Sequence, residues 1–170
     1  SREAFFIFQA PNPNTEFLKL ENNGYLGTNS LIVTYNNSFS ANINNEAISD
    51  GNWHHIVVTA GSGNLKTYKD GTLLATHSVT ITDQTIDAFA LGYRKYNNDL
   101  FFNGELDQVR IYSSELSSGD VTNLYNETSV PTPVSWYKLD GNADDSQGSN
   151  NGTATSVTYS TPAVRQHNGT

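Results

Sequence analysis

The chain has 170 residues, of which 36% are hydrophobic, 11% aromatic and only 15% charged. That is enough chain for a sizeable core and too little charge for a disordered polyelectrolyte. A net charge of −8 without a basic cluster argues against nucleic acid and anionic membrane surfaces as partners, and the lack of cysteine excludes thiol catalysis, disulfides and thiolate metal sites.

Short apolar runs broken by turn residues dominate from the start. Ala4 to Gln9 reads as a strand covered on both faces, and Asn12-Pro13-Asn14 as a loop. Phe17 to Glu21 is a strand that Asn22-Asn23-Gly24 turns towards Tyr25-Leu26, because Asn and Gly tolerate the positive φ of a tight hairpin. Leu31 to Tyr35 and Ser38 to Ile43 follow. Asp50-Gly51 leads into a strand over Trp53 to Thr59, whose apolar content predicts a buried Trp53. Leu65 to Lys69 and Thr72 to His77 flank Asp70-Gly71 as a second hairpin, and Ala88 to Tyr93 and Val109 to Tyr112 extend the set. Only Ser117 to Asn126 breaks the pattern. Val121, Leu124 and Tyr125 lie at helical spacing behind a capping Ser or Asp, which predicts one short helix. Pro131 and Pro133 mark an extended linker over 131–134. Val134 to Leu139 is then a strand, residues 140–155 a polar loop, and Val157 to Tyr159 a further strand. No apolar run approaches the roughly 20 residues of a membrane-spanning helix. Turns every 8–12 residues or so predict an all-β, two-sheet antiparallel sandwich of the jelly-roll type.

Three phrases in order carry a family resemblance: Asp50-Gly51-Asn52-Trp53-His54-His55-Ile56-Val57-Val58-Thr59, Tyr68-Lys69-Asp70-Gly71-Thr72-Leu73-Leu74, and Phe102-Asn103-Gly104-Glu105-Leu106-Asp107-Gln108-Val109-Arg110-Ile111-Tyr112. Together they resemble the later part of laminin G-like domains of the concanavalin A-like lectin–glucanase superfamily. Trp136-Tyr137-Lys138-Leu139-Asp140-Gly141 resembles the opening of the same domain, and Asn168-Gly169-Thr170 the start of its next phrase. The resemblance implies residues 1–130 as a jelly roll lacking its first strands, and residues 134–170 as an opening strand and loop. The tail would complete the sandwich beside Val109 to Tyr112, in cis or in a neighbouring chain, since roughly seven extended residues span about 23–25 Å. Donation to a neighbour would make 134–170 a self-association segment.

The functional expectations follow from chemistry and resemblance together. Glycan recognition needs aromatic faces for sugar C–H groups and planar polar groups for hydroxyls. The loop holding Tyr93, Arg94, Tyr96, Asn97 and Asn98 supplies both. A glycosidase needs two carboxylates flanking the sugar bond, about 5–5.5 Å apart in retaining enzymes. Glu105 and Asp107 begin such a pattern, but Arg110 stands where the third carboxylate would, so no enzyme is expected. His54 and His55 are adjacent and would face opposite sides of a strand, which suits packing rather than chelation. Asp140, Asn142, Asp144 and Asp145 lie in one Gly-containing loop whose hard oxygen donors suit calcium, and the resemblance implies a structural calcium near the first and last strands, where Asp107 would join them; the alternative is a solvated acidic turn whose Asp side chains bond nearby N–H groups. The expected function is a non-catalytic carbohydrate-binding or adhesion module of an extracellular, cell-surface or virion-surface repeat protein, with a glycan or surface protein as partner. The alternative is a structural decoration or fibre module without a glycan site.

Overall fold

The computed structural model describes residues 2–10, 16–23, 30–37, 39–43, 48, 50–95, 97–129 and 131–159. It divides into two compact units, residues 1–104 and 105–170.

The first unit holds eight strands: β1 (Arg2–Gln9), β2 (Glu16–Asn23), β3 (Leu31–Tyr35), β4 (Phe39–Ile43), β5 (Ile56–Gly61), β6 (Asn64–Lys69), β7 (Thr72–Ser78) and β8 (Ala88–Leu91). They form a five-stranded sheet in the order β4-β3-β2-β1-β8 and a three-stranded sheet β5-β6-β7. Every pairing is antiparallel. Alternation along β2 and β3 puts Leu20, Leu31, Val33 and Tyr35 on one face. There they meet Leu65 of β6, with Ile56, Val58, Leu74 and Ala75 packed around them. This is the core between the two sheets, as a sandwich requires.

The other face of the five-stranded sheet is buried as well, and there Ile7 and Ile32 share it with charged side chains. Lys19 is 3% exposed and Glu21 fully buried. Lys19 Nζ lies 2.6 Å from Glu16 Oε2 and 3.4 Å from Glu21 Oε2. One ammonium thus serves two carboxylates.

Tight turns set the hairpins. Asp70 and Gly71 both take positive φ between β6 and β7, which the Asp-Gly pair tolerates. The strand expected from Trp53 starts instead at Ile56, and the Trp53 side chain is 51% exposed. The reason lies in the preceding residues. His54 Nδ1 is 2.8 Å from Asp70 Oδ2, His54 Nε2 is 3.1 Å from Asp50 Oδ1, and the His55 N–H donates to Asp70 Oδ1 at 2.9 Å. These contacts bind residues 54–55 to the hairpin turn through side chains rather than through a ladder. The Asn52 backbone N–H and then the Asn52 side chain, with His54, hold the Asp50 carboxyl down to about 2. Trp53→Ala is therefore expected to cost about 1 kcal/mol or less, the scale of a surface change. A chemical-denaturant midpoint shifted by a core-sized amount would contradict this placement.

The second unit contains β9 (Val109–Ile111), α1 (Ser118–Tyr125) and β10 (Ser135–Tyr137). α1 starts where the sequence predicts. Ser117 caps it, its hydroxyl accepting from the Asp120 N–H at 3.1 Å while Asp120 Oδ2 accepts from the Ser117 N–H at 2.9 Å. Val121 and Leu124 form its buried stripe. β10 pairs antiparallel with β9, Trp136 opposite Arg110. This is the neighbour expected for that segment, over a shorter run than Val134 to Leu139. Residues 157–159 form no strand, and the Asn168–Thr170 phrase lies outside the described residues.

Candidate functional site

The loop from Gly92 to Phe102 folds back on itself as a narrow hairpin. The Phe102 N–H donates to Gly92 O at 2.7 Å, and the Arg94 N–H to Asp99 O at 2.9 Å. Two further bonds tie it to β1: Gly92 N–H to Phe5 O at 3.0 Å and Ala4 N–H to Leu100 O at 2.9 Å. Arg94 locks the loop. Its Nε donates to Asp99 Oδ1 at 2.7 Å, its Nη2 pairs with Asp99 Oδ2, and its Nη1 donates to Glu16 Oε1 at 3.2 Å. The Asp99 bonds come first among the effects that raise the Arg94 pKa, and burial opposes them. Arg94, expected to face a ligand, is thus committed to carboxylates and braces the loop instead.

The brace presents an aromatic pair. The Tyr93 and Phe101 rings are parallel to within 6°, with centroids 6.1 Å apart. Phe101 is 59% exposed, and Asn97 and Asn98 stand exposed at the tip. Tyr96 lies outside the described residues. Tyr93, Asn97 and Asn98 thus lie in one loop, and Phe101, which the sequence reading did not single out, lies beside Tyr93. The spacing of two aromatic residues around an Arg-Asp pair was the available signal.

The acidic loop of the second unit is organised differently from a metal site. Asp145 Oδ1 accepts backbone N–H bonds from Trp136 at 2.9 Å, Gln147 at 3.0 Å and Gly148 at 3.0 Å. Asp145 Oδ2 accepts from Asn150 N–H at 3.3 Å. Burial opposes ionisation of this carboxyl, but the Trp136, Gly148 and Gln147 N–H groups outweigh it and hold the pKa well below the usual carboxylate range. Gly148 is required here, since a Cβ would stand 2.8 Å from Asp145 Oδ2. Asn142 Oδ1 accepts from the Asp144 N–H at 3.1 Å, and Asp140 and Asp144 are exposed. Asp107, Asp140, Asn142, Asp144 and Asp145 therefore do not fit the expected calcium. N–H groups already point their positive ends at Asp145, where a cation would have to sit. Among the described residues no group of three or more His, Asp or Glu could hold a metal.

Two antiparallel sheets packed face to face, followed by one capped helix, match a known family over residues 2–122, the concanavalin A-like lectin/glucanases superfamily. The chain belongs to that superfamily. Among solved structures, this concanavalin A-like chain resembles one described as a "putative carbohydrate binding protein" from Bacteroides ovatus. The TM-score is 0.65 at 17% identity, over 82% of this chain and 41% of that one. The chain thus spans less than half of that protein. An S-layer domain-containing protein from Clostridium thermocellum aligns at 16% identity over 74% of this chain and 63% of its own, with a TM-score of 0.36. No curated protein matches the sequence.

Proposed function

We propose that this concanavalin A-like domain is a non-catalytic carbohydrate-binding module whose sugar contact is the Tyr93–Phe101 pair. The observation that carries the reading is an exposed Phe101 braced in parallel against Tyr93 by a loop that Arg94 holds shut. Phe101 is the most exposed of the large hydrophobic side chains among the described residues, and the face of its ring suits the C–H face of a sugar. The Asn97 and Asn98 amides at the same tip can bond hydroxyls. The likeness to the Bacteroides ovatus protein supports the same ligand class through its description. Among the described residues three carboxylate pairs close on a basic side chain: Glu16 and Glu21 on Lys19, Glu16 and Asp99 on Arg94, and Asp50 and Asp70 on His54. None of them stands open around a sugar bond, which supports binding without hydrolysis. An adhesive surface role outside the cell follows from this reading.

Affinity electrophoresis against neutral polysaccharides tests it. The domain should be retarded by at least one of them. Phe101→Ala should weaken that binding about tenfold or more while leaving the fold intact. A domain that passes every gel unretarded would point to the packing role of a decoration or fibre module. Equal retardation of Phe101→Ala would remove the platform.

A further inference from the structure

The second unit carries a surface of opposite character. Gln108, Arg110 and Tyr112 alternate along β9 and its flanks, and Trp136 and Lys138 share their face from β10. The Arg110 guanidinium carbon lies 4.6 Å from the Trp136 ring centroid, and Lys138 Nζ lies 4.7 Å from it. Gln108 Oε1 accepts from the Trp136 indole N–H at 2.7 Å and from Arg110 Nη2 at 3.3 Å. One indole thus gathers two cations in a chain of net charge −8 that has only nine Lys and Arg. Neither Arg110 nor Lys138 pairs with a carboxylate among the described residues. The two centroid distances place the charges less than about 10 Å apart, within the screening length at about 0.1 M salt, so an anion beside the ring feels both.

We infer that the Arg110–Trp136–Lys138 face binds the carboxylate of an acidic saccharide, a uronic acid residue. Arg110 gives one Nη2 N–H to Gln108, and the remaining donors of its planar fork suit a planar carboxylate. Lys138 adds a second, flexible charge from an exposed position. The Trp136 quadrupole offsets part of the repulsion between the two cations, and a bound carboxylate cancels more of it. The saccharide class rests on the carbohydrate-binding reading above, but none of these residues belongs to the Tyr93–Phe101 platform.

The test is a calorimetric titration with oligogalacturonate, and with its neutral oligogalactan counterpart, at low ionic strength. The wild-type domain should bind the acidic oligosaccharide more tightly than the neutral one, and added salt should weaken that binding. Arg110→Gln should reduce affinity about tenfold or more and Lys138→Gln several-fold. Lys138 is exposed, so its variant keeps the fold and remains informative if Arg110→Gln does not. Sulfated oligosaccharide at equal charge should bind less tightly, since it lacks the planar match. No binding by wild type would overturn the inference, as would binding by both variants equal to that of wild type. Salt-sensitive self-association that Lys138→Gln abolishes, without oligosaccharide binding, would overturn it in favour of a second copy of this acidic chain. The platform reading stands or falls separately, on neutral polysaccharides.

Discussion

Lys19→Met is expected to lower the unfolding free energy by about 3–5 kcal/mol, because it takes the ammonium away from the fully buried Glu21 carboxylate and leaves Glu16 with Arg94 alone. Lys19 is nearly inaccessible, Glu21 fully so, and Glu16 is 8% exposed. The ammonium sits between Glu16 at 2.6 Å and Glu21 at 3.4 Å, and Arg94 shares Glu16 from the other side. The methionine fills the volume of the lysine stem, so the loss reads charge rather than a cavity. Adding Glu21→Leu to Lys19→Met should restore much of the stability, since a buried ion pair is often worth no more than apolar residues of like shape. Denaturant titrations of the single and double variants measure both steps. A single variant as stable as wild type would show that water reaches this face.

Leu65→Ala should cost about 3–4 kcal/mol. Leu65 is completely buried and is the residue of β6 in the core cluster with Leu20, Leu31, Val33 and Tyr35 of the facing sheet. Removing three side-chain carbons there opens a gap lined by residues of both sheets, which cannot close without moving one sheet against the other. The loss should appear in the denaturant midpoint with an unchanged slope. A cost below about 1 kcal/mol would mean that the two sheets do not pack through this position.

Features whose partners lie close in sequence were legible. The Ser117–Asp120 capping box and the Asp70-Gly71 hairpin are local patterns, and both stand where the residues predict. The strand pattern and the family phrases likewise pointed to the antiparallel sandwich, which the match over residues 2–122 supports. Features that depend on distant partners were not legible. Trp53 reads as the start of an apolar strand, but Asp70, fifteen residues beyond His55, takes up the His55 backbone and holds the segment off the ladder. Arg94 looks like a ligand-binding cation until Glu16, 78 residues away, is placed beside it. Phe17-Leu18-Lys19-Leu20-Glu21 alternates like a strand with one wet face, yet Lys19 and Glu21 are buried on it. Asp145 looked like a calcium ligand because sequence shows a carboxylate but not the N–H groups around it.

The most direct measurement of the carbohydrate-binding claim is a nuclear magnetic resonance titration. Amide shifts of the 15N-labelled domain would be followed as a neutral oligosaccharide from the most strongly retarding polysaccharide is added. The account predicts that the largest changes fall on residues 92–102, with the Phe101 ring protons shifted upfield or downfield together with those of Tyr93. Saturable shifts confined to other strands, with residues 92–102 unmoved, would contradict it.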